Sequence, residues 1–274
     1  FHTLLSNRNK TLRKFHRLSN SIILLDEVQS IPFKYWLLMK EVLKDLVKEM
    51  DSYVVFVTAT EPLIFERHEV KSLVDRGKYF SALDRVVIKP QLQGTMKVEE
   101  LAEHVDLKPD KSYLFILNTI KSAKTAYKLL KTKSQHISFL STHIIPKERL
   151  NRINEMKSGE IKVTVTTQLV EAGVDIDFDI VYRDLAPLDS INQAAGRCNR
   201  NGKNQGEVIV VSLTDDKRRY SSYIYDDVLL DITGKMLEKN DCIREKDFLN
   251  IIDNYYKTMQ EKMASDKSRQ LLSA

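Results

Sequence analysis

Short apolar runs alternate with amphipathic segments along this chain, and the alternation predicts strands and helices in turn. The run at residues 21–25 is almost entirely aliphatic, which is typical of a strand buried on both faces in a parallel sheet. Residues 53–57 repeat the pattern and predict a second buried strand. From residue 32 to residue 50, apolar residues recur at spacings of three and four, which predicts a helix with one apolar face.

The middle of the chain carries a longer series of the same kind. Strands are predicted at residues 112–117, 136–140, 161–165, 179–182 and 207–212. Helices are predicted between them at residues 120–131, 147–157 and 190–198. Strands and helices that alternate in this way form a parallel sheet with helices on both faces, so the sequence predicts an α/β fold.

Two segments break this series and divide the chain. Residues 74–94 combine mixed charge with glycine and proline, which predicts a loop-rich connection. Beyond residue 214 the apolar spacing is helical and no strand is predicted. We therefore expect three parts, at residues 1–90, 91–213 and 214–274, with the last a helical extension packed on the second sheet.

Composition narrows the class of protein. The chain has 274 residues, of which 42% are hydrophobic and 30% charged, and this balance is typical of a globular protein with its own core. No apolar run approaches the roughly 20 residues of a membrane span, and no signal peptide is recognisable, so we expect a cytoplasmic protein without membrane association. Its two cysteines lie far apart, which argues against a disulfide framework or a zinc site. The net charge of +5 permits a polyanionic partner without demonstrating one.

Polar residues follow the two N-terminal strands directly. Asp26 and Glu27 come after the first strand, where an aspartate can hold Mg²⁺ through its water shell and a glutamate can activate a water molecule. Such an acidic pair is also a common helix cap. Thr58 and Thr60 follow the second strand and could sense a nearby phosphate, or they could belong to a plain transition from strand to loop.

Two later segments carry further candidate chemistry. Thr166 and Thr167 end a predicted strand, and Gly173 permits a sharp turn before Asp175. The two threonines could bond a nucleic-acid phosphate, and the aspartate could face a nucleotide or a basic helix.

Arg197 and Arg200 are three residues apart on a predicted helix, so they share one face. Paired guanidinium groups can neutralise the γ-phosphate charge in phosphoryl transfer, although a solvated basic helix has the same spacing.

In this order and spacing, the segments resemble motifs II, III, V and VI of the superfamily 2 helicases. The closer resemblance is to the helicase of the CRISPR-associated helicase-nuclease of type I systems. It depends on the sequences LLDEVQSIP at 24–32, LSTH and PKER within 140–149, TTQLVEAGVDID at 166–177 and QAAGRCNRNG at 193–202. The similarity extends from about residue 24 to residue 211 and is weakest in the C-terminal tail.

This resemblance implies RecA-like sheets, a partial first lobe and a complete second lobe, with ATP and Mg²⁺ as cofactors and single-stranded DNA crossing both lobes. The implied ATPase residues are Asp26 for Mg²⁺, Glu27 for water activation, Arg197 and Arg200 for the phosphates, and Gln193, Gly173 and Asp175 for nucleotide binding. The implied coupling residues are Gln29, Thr58 and Thr60. The implied DNA contacts are Asn118, Thr119, Thr166 and Thr167. The implied partner is the CRISPR surveillance ribonucleoprotein complex.

The sequence departs from the family's pattern in two places. It has no phosphate-binding loop of the form GxxxxGK[ST], and none of its six histidines precedes an aspartate as a nuclease metal site would require. Because the chain starts at Phe1 with a basic stretch and no methionine, we expect a fragment whose upstream lobe carries the loop, with a nuclease domain fused or separate. We expect negligible ATP hydrolysis by this chain alone. The alternatives are another superfamily 2 helicase acting on RNA or DNA, and a truncated, non-catalytic module that binds nucleic acid or a partner.

Overall fold

The structure is a computed structural model that describes residues 9–58, 60, 63–171, 173–202, 204–262 and 273. Ala59 and Ala172, which belong to two of the predicted motifs, and the tail at 263–272 lie outside the described residues. The chain divides into two compact units. The first unit comprises residues 1–73 with 256–274, and the second comprises residues 74–255. The predicted domain boundaries stay predictions.

The first unit contains a short parallel sheet with a helix packed on it. The elements are α1 (Asn9–Leu12), β1 (Ile22–Asp26), α2 (Trp36–Glu49) and β2 (Tyr53–Val57). Strands β1 and β2 pair in parallel, and Asp26 at the end of β1 lies beside Val57. Helix α2 buries Trp36, Met39 and Leu43 at the predicted spacing.

The prediction that β1 and β2 are buried on both faces is wrong for the described residues. Ile22 is 71% exposed, Leu24 66% and Tyr53 70%, while the alternate residues of β1, Ile23 and Leu25, are partly covered. The physical reason is that this sheet has two strands and α2 packs against it. The two apolar runs therefore predicted the strands correctly, but they did not predict how much of each strand is exposed.

The second unit contains a seven-stranded sheet with the order β5-β6-β4-β7-β8-β3-β9. The strands are β3 (Val86–Met96), β4 (Tyr113–Ile116), β5 (Ile137–Leu140), β6 (Val163–Thr166), β7 (Ile180–Asp184), β8 (Gly206–Leu213) and β9 (Ile243–Arg244). All pairs are parallel except the antiparallel pair of β3 and β9. The helices are α3 (Arg76–Ser81), α4 (Val98–His104), α5 (Ile120–Leu130), α6 (Pro146–Ser158), α7 (Leu188–Ala195), α8 (Asp227–Leu237) and α9 (Phe248–Lys262), which continues into the first unit.

The core of the second unit lies on its central strands. Every residue of β4 and β6 is buried, as the continuous apolar runs predict for strands covered on both faces. Helices α4 and α5 pack together over one face, and their apolar residues form one cluster with those of β4, β6 and β8. The parallel order brings the carboxyl ends of these strands to one edge of the sheet, where ligands bind in open α/β folds.

Two predictions about the flanks of this sheet are wrong. Residues 74–94 were expected to form loops, and they include most of β3. Strand β9 pairs with Val87 and Ile88 alone, so the rest of β3 is a sheet edge in the described part of the chain, where Pro90 is tolerated. The tail beyond residue 214 was expected to contain no strand, yet β9 lies there. None of the described helices is long and apolar enough to cross a membrane.

Candidate functional site

In the first unit, Asp26 and Glu27 lie where the sequence places them, at the carboxyl end of β1. Glu27 has a φ of +52°, so the chain turns sharply as it leaves the strand. Glu27 precedes a short 3₁₀ turn, Val28–Ser30, and its side chain makes no capping hydrogen bond. The helix-cap alternative is therefore not what the structure shows for this pair.

The Glu27 side chain is connected to the next strand through an amide. Gln29 donates from Nε2 to the Glu27 carboxylate, and the Thr58 hydroxyl donates to Gln29 Oε1 or to the Thr60 carbonyl oxygen. Gln29 is buried, so this geometry is shielded from water. The buried Thr60 hydroxyl lies 3.0 Å from the hydroxyl of Tyr256. The three predicted coupling residues thus form one connected set with Glu27.

The side chain of Asp26 is exposed and makes no hydrogen bond or ion pair with the described residues. Within the same described ranges, no group of three or more His, Cys, Asp or Glu side chains could hold a metal ion. Mg²⁺ commonly keeps several waters and uses one or two protein carboxylates. A single accessible carboxylate at a strand end therefore fits Mg²⁺ and does not fit a fully protein-enclosed metal.

In the second unit, the residues expected to contact DNA follow β4 and β6. Asn118, Thr166 and Thr167 are all buried, with exposed fractions of 2%, 0% and 6%. Thr119 is the N-cap of α5, and its hydroxyl accepts a hydrogen bond of 3.0 Å from the Ser122 amide. The side chains of Asn118, Thr119 and Thr166 thus form hydrogen bonds within the protein, and contact of this group with a phosphate stays a prediction.

The loop after β6 turns back as predicted. Gly173 has a φ of +70°, in the left-handed region that favours glycine. Asp175 follows it and lies 3.1 Å from Arg200 Nη1 and 3.5 Å from Lys157 Nζ. Of the two possibilities considered for Asp175, the structure thus shows contact with a basic segment.

The expectation that Arg197 and Arg200 share a helix face is wrong. Helix α7 ends at Ala195, and Gln193 lies half-buried in its last turn. Phe178 donates to the Arg197 carbonyl oxygen at 3.0 Å and accepts from the Asn199 amide at 2.8 Å. Residues 197–199 are therefore hydrogen-bonded to Phe178 and do not continue helix α7.

The two arginines consequently have separate environments. Arg197 donates from Nε to the Val170 carbonyl oxygen at 2.8 Å and from Nη2 to the Glu171 carbonyl oxygen at 2.7 Å. Arg200 is exposed, and Asp177 accepts a hydrogen bond of 2.7 Å from its amide. One guanidinium is thus held by the backbone of the loop after β6, and the other lies at the surface beside Asp175.

Sequence reasoning missed a buried charged cluster at the end of β7. Arg183 has no exposed surface, and its Nη2 lies 2.8 Å from Glu171 Oε1 and 3.0 Å from the Tyr225 hydroxyl. Its Nη1 donates to Asn118 Oδ1 and to the Asp184 carbonyl oxygen, both at 2.7 Å. The sequence signal was an Arg-Asp pair that directly follows a predicted strand.

Burial shifts the acidic members of this cluster. It raises the pKa of the Asp184 carboxyl to about 7, against hydrogen bonds from the Leu213 amide and Asn118 and the charge of Arg183. Burial also raises the pKa of Glu171, and the Arg183 charge opposes it. Burial acts to lower the pKa of the Arg183 guanidinium, but Glu171, Tyr225 and Asp184 together outweigh burial, so this pKa is raised. The site therefore contains an ion pair beside a carboxyl group that titrates near neutral pH.

Comparison with solved structures defines the class of fold. The chain superimposes on a structure titled "Crystal structure of T. fusca Cas3-AMPPNP" with a TM-score of 0.70 and 19% identity, covering 98% of this chain and 38% of that one. A structure titled "CRISPR RNA-guided surveillance complex, pre-nicking" gives a TM-score of 0.71 with 18% identity, covering 98% of this chain and 41% of that one. The predicted RecA-like α/β fold is confirmed.

Sequence comparison shows a similarity to one family. Residues 109–203 match the family described as "CRISPR-associated nuclease/helicase Cas3, C-terminal". A CRISPR-associated nuclease/helicase Cas3 of Methanothermobacter thermautotrophicus is 27% identical over 244 residues, covering 80% of this chain and 29% of the relative. The chain thus spans about a third of the length of these relatives, and it is similar to the C-terminal helicase portion of this family.

Proposed function

We propose that this chain supplies the C-terminal part of an ATP-dependent translocase or helicase that acts on single-stranded DNA in CRISPR antiviral defence. The observation that carries the proposal is the connected set of Glu27, Gln29 and Thr58. Gln29 bonds both Glu27 and Thr58, so a movement of Glu27 when the nucleotide is bound or hydrolysed would also move the end of β2. A carboxylate used only as a surface charge would not need such a connection.

We assign the ATPase roles as the family resemblance implies them. Asp26 would hold Mg²⁺ through water, and the ion would neutralise phosphate charge when bound. Glu27 would orient and deprotonate the attacking water. Arg197 and Arg200 would stabilise charge on the transferred phosphoryl group, because a guanidinium stays protonated and bonds two oxygens at once. The remaining nucleotide contacts we assign to Gln193, Gly173 and Asp175.

The nucleic-acid role is assigned to the carboxyl edge of the second sheet. Asn118 and Thr119 follow β4, while Thr166 and Thr167 end β6, and these two strands are neighbours. Because the side chains are largely occupied, we assign phosphate contact there to backbone N–H groups and to the half-buried Thr119 hydroxyl. We also propose the CRISPR surveillance ribonucleoprotein complex as the partner and the cytoplasm as the location.

An alanine substitution at Arg200 tests the ATPase assignment. The assay uses an upstream-extended protein, which is this chain lengthened at its N-terminus to include the helicase lobe expected there. Loss of an arginine that acts on transition-state charge should lower single-stranded-DNA-stimulated ATP hydrolysis by about 10³-fold. Affinity for single-stranded DNA should stay within about twofold, since each phosphate contact carries only part of the total. The control is Lys128→Ala, which removes one exposed cation near the C-terminal end of α5 and should change neither quantity.

Equal losses of DNA affinity and of turnover in the Arg200→Ala protein would contradict the assignment. A second variant, Glu27→Gln, should abolish turnover and spare nucleotide binding, because it removes the base and keeps the size of the side chain. Retained turnover in that variant would show that another group activates the water.

A further inference from the structure

The buried cluster around Arg183 connects two segments that the proposed function assigns to different ligands. On one side, Asn118 accepts from Arg183 through Oδ1 and donates through Nδ2 to Asp184 at 2.8 Å. The Asn118 carbonyl oxygen in turn accepts a hydrogen bond of 3.0 Å from Gln168 Nε2, which joins the ends of β4 and β6. These are the segments assigned to DNA.

On the other side of Arg183 lies Glu171. The Glu171 carboxylate is 93% covered and pairs with the guanidinium of Arg183 at 2.8 Å. The carbonyl oxygen of the same residue accepts one of the two hydrogen bonds that hold Arg197. Glu171 is therefore the single residue between Arg183 and Arg197, the arginine that we assign to the phosphates.

We propose that Arg183 is a positioning residue that couples the DNA-contacting segments at 118–119 and 166–168 to the Arg197 guanidinium. The proposal rests on the proposed function and adds a residue that lies outside the four segments resembling helicase motifs. A shift of Asn118 on DNA binding would move the Arg183 guanidinium, and the ion pair would transmit that shift to Glu171 and to the backbone that holds Arg197.

The chemistry of the cluster favours a coupling role over a purely stabilising one. A buried ion pair contributes little net stability compared with well-packed apolar residues of similar volume, because both charges are desolvated. The planar guanidinium serves Glu171 and Tyr225 from one nitrogen and Asn118 from the other, and this fixed fork determines where all three lie. A lysine has a single nitrogen and cannot hold the same set.

The test uses the upstream-extended protein and measures the ratio of ATP hydrolysis with single-stranded DNA to hydrolysis without it. Both rates come from the same preparation, so a smaller folded fraction leaves the ratio unchanged. Coupling between two ligand sites is typically 5–150-fold, so the ratio should fall by about tenfold in Arg183→Lys and in Arg183→Met. The matched control is Tyr225→Phe, which removes one neutral hydrogen bond from the guanidinium and should keep the ratio within about twofold.

The double variant Arg183→Met with Glu171→Leu separates coupling from stability. Replacing both charges with apolar groups should restore the melting temperature that either single change lowers. Our proposal predicts that the ratio stays low in this protein although its stability recovers. A ratio that returns to the wild-type value, or that never falls in the single variants, would overturn the inference and leave the proposed function intact. Wild-type protein without DNA stimulation would overturn both.

Discussion

The Asp184 carboxyl provides a quantitative test of the buried cluster. Its pKa is raised from 3.8 to about 7, chiefly by burial. The folded protein thus binds this proton more tightly than the unfolded chain, so the contribution of Asp184 to stability is largest at low pH and is lost as pH rises through about 7. The whole shift corresponds to about 4 kcal/mol, of which about 2.5 kcal/mol is lost between about pH 5 and about pH 8.

Replacement by asparagine removes this titration. Asp184→Asn should therefore show a pH dependence of unfolding free energy about 2.5 kcal/mol smaller than that of the wild type over the same range. Burial also raises the pKa of Asp189, to about 6, and that contribution is present in both proteins and cancels in the comparison. The Glu69 and Asp215 carboxyls have pKa values of about 2, lowered chiefly by a hydrogen bond from Lys40 and one from the Arg218 amide, so they stay ionised throughout.

Urea unfolding at both pH values, followed by circular dichroism, measures this difference. Trp36 is the single tryptophan of the chain and lies in the first unit, so its fluorescence reports on a unit that lacks Asp184. Asp110→Asn, at an exposed turn, is the control and should keep the wild-type pH dependence. If Asp184→Asn loses stability with pH as steeply as the wild type, the assignment of a buried, protonated Asp184 is refuted.

Two further substitutions test packing in each unit. Gly206→Ala places a methyl group 2.5 Å from Cys198 Sγ, so it should destabilise the second unit by about 1–3 kcal/mol in urea unfolding. The control, Gly94→Ala, has nothing within 4 Å of the added methyl group and should not destabilise this unit. Equal stabilities of the two variants would contradict the close packing around Gly206. Tyr256→Phe removes the hydroxyl beside Thr60 and should lower the unfolding free energy of the first unit by about 1 kcal/mol, measured by Trp36 fluorescence in urea. An unchanged urea midpoint would show that this hydrogen bond is not formed.

The sequence predicted the central strands of the second unit well because buried parallel strands leave continuous apolar runs. It missed β3 because Pro90 and Gly94 usually mark loops, and only the edge position in the sheet makes them acceptable in a strand. No local pattern indicates that position. Among the described residues, most of β3 lies at the edge of the sheet because only two residues of β9 pair with it.

The sequence predicted where candidate residues lie relative to the ends of the strands, but it predicted the conformation of the segment around Arg197 and Arg200 less well. Asp26 and Glu27 lie at the end of β1 as expected, since the end of an apolar run is a local feature. The spacing of Arg197 and Arg200 suggested a helix, but Asn199 has a φ of +42° and the segment pairs with Phe178. The Arg-Asp pair at 183–184 was visible after a predicted strand, but its burial and its partner Glu171 were not, because an arginine is normally exposed and the fold brings Glu171 near.

The most direct test of the proposed function is ATP hydrolysis with and without single-stranded DNA, measured on this chain and on the upstream-extended protein side by side. We expect DNA-stimulated hydrolysis in the extended protein and negligible hydrolysis by this chain alone, because the phosphate-binding loop GxxxxGK[ST] is absent from its 274 residues. Absence of stimulated hydrolysis in both proteins would contradict the account and favour a non-catalytic binding module.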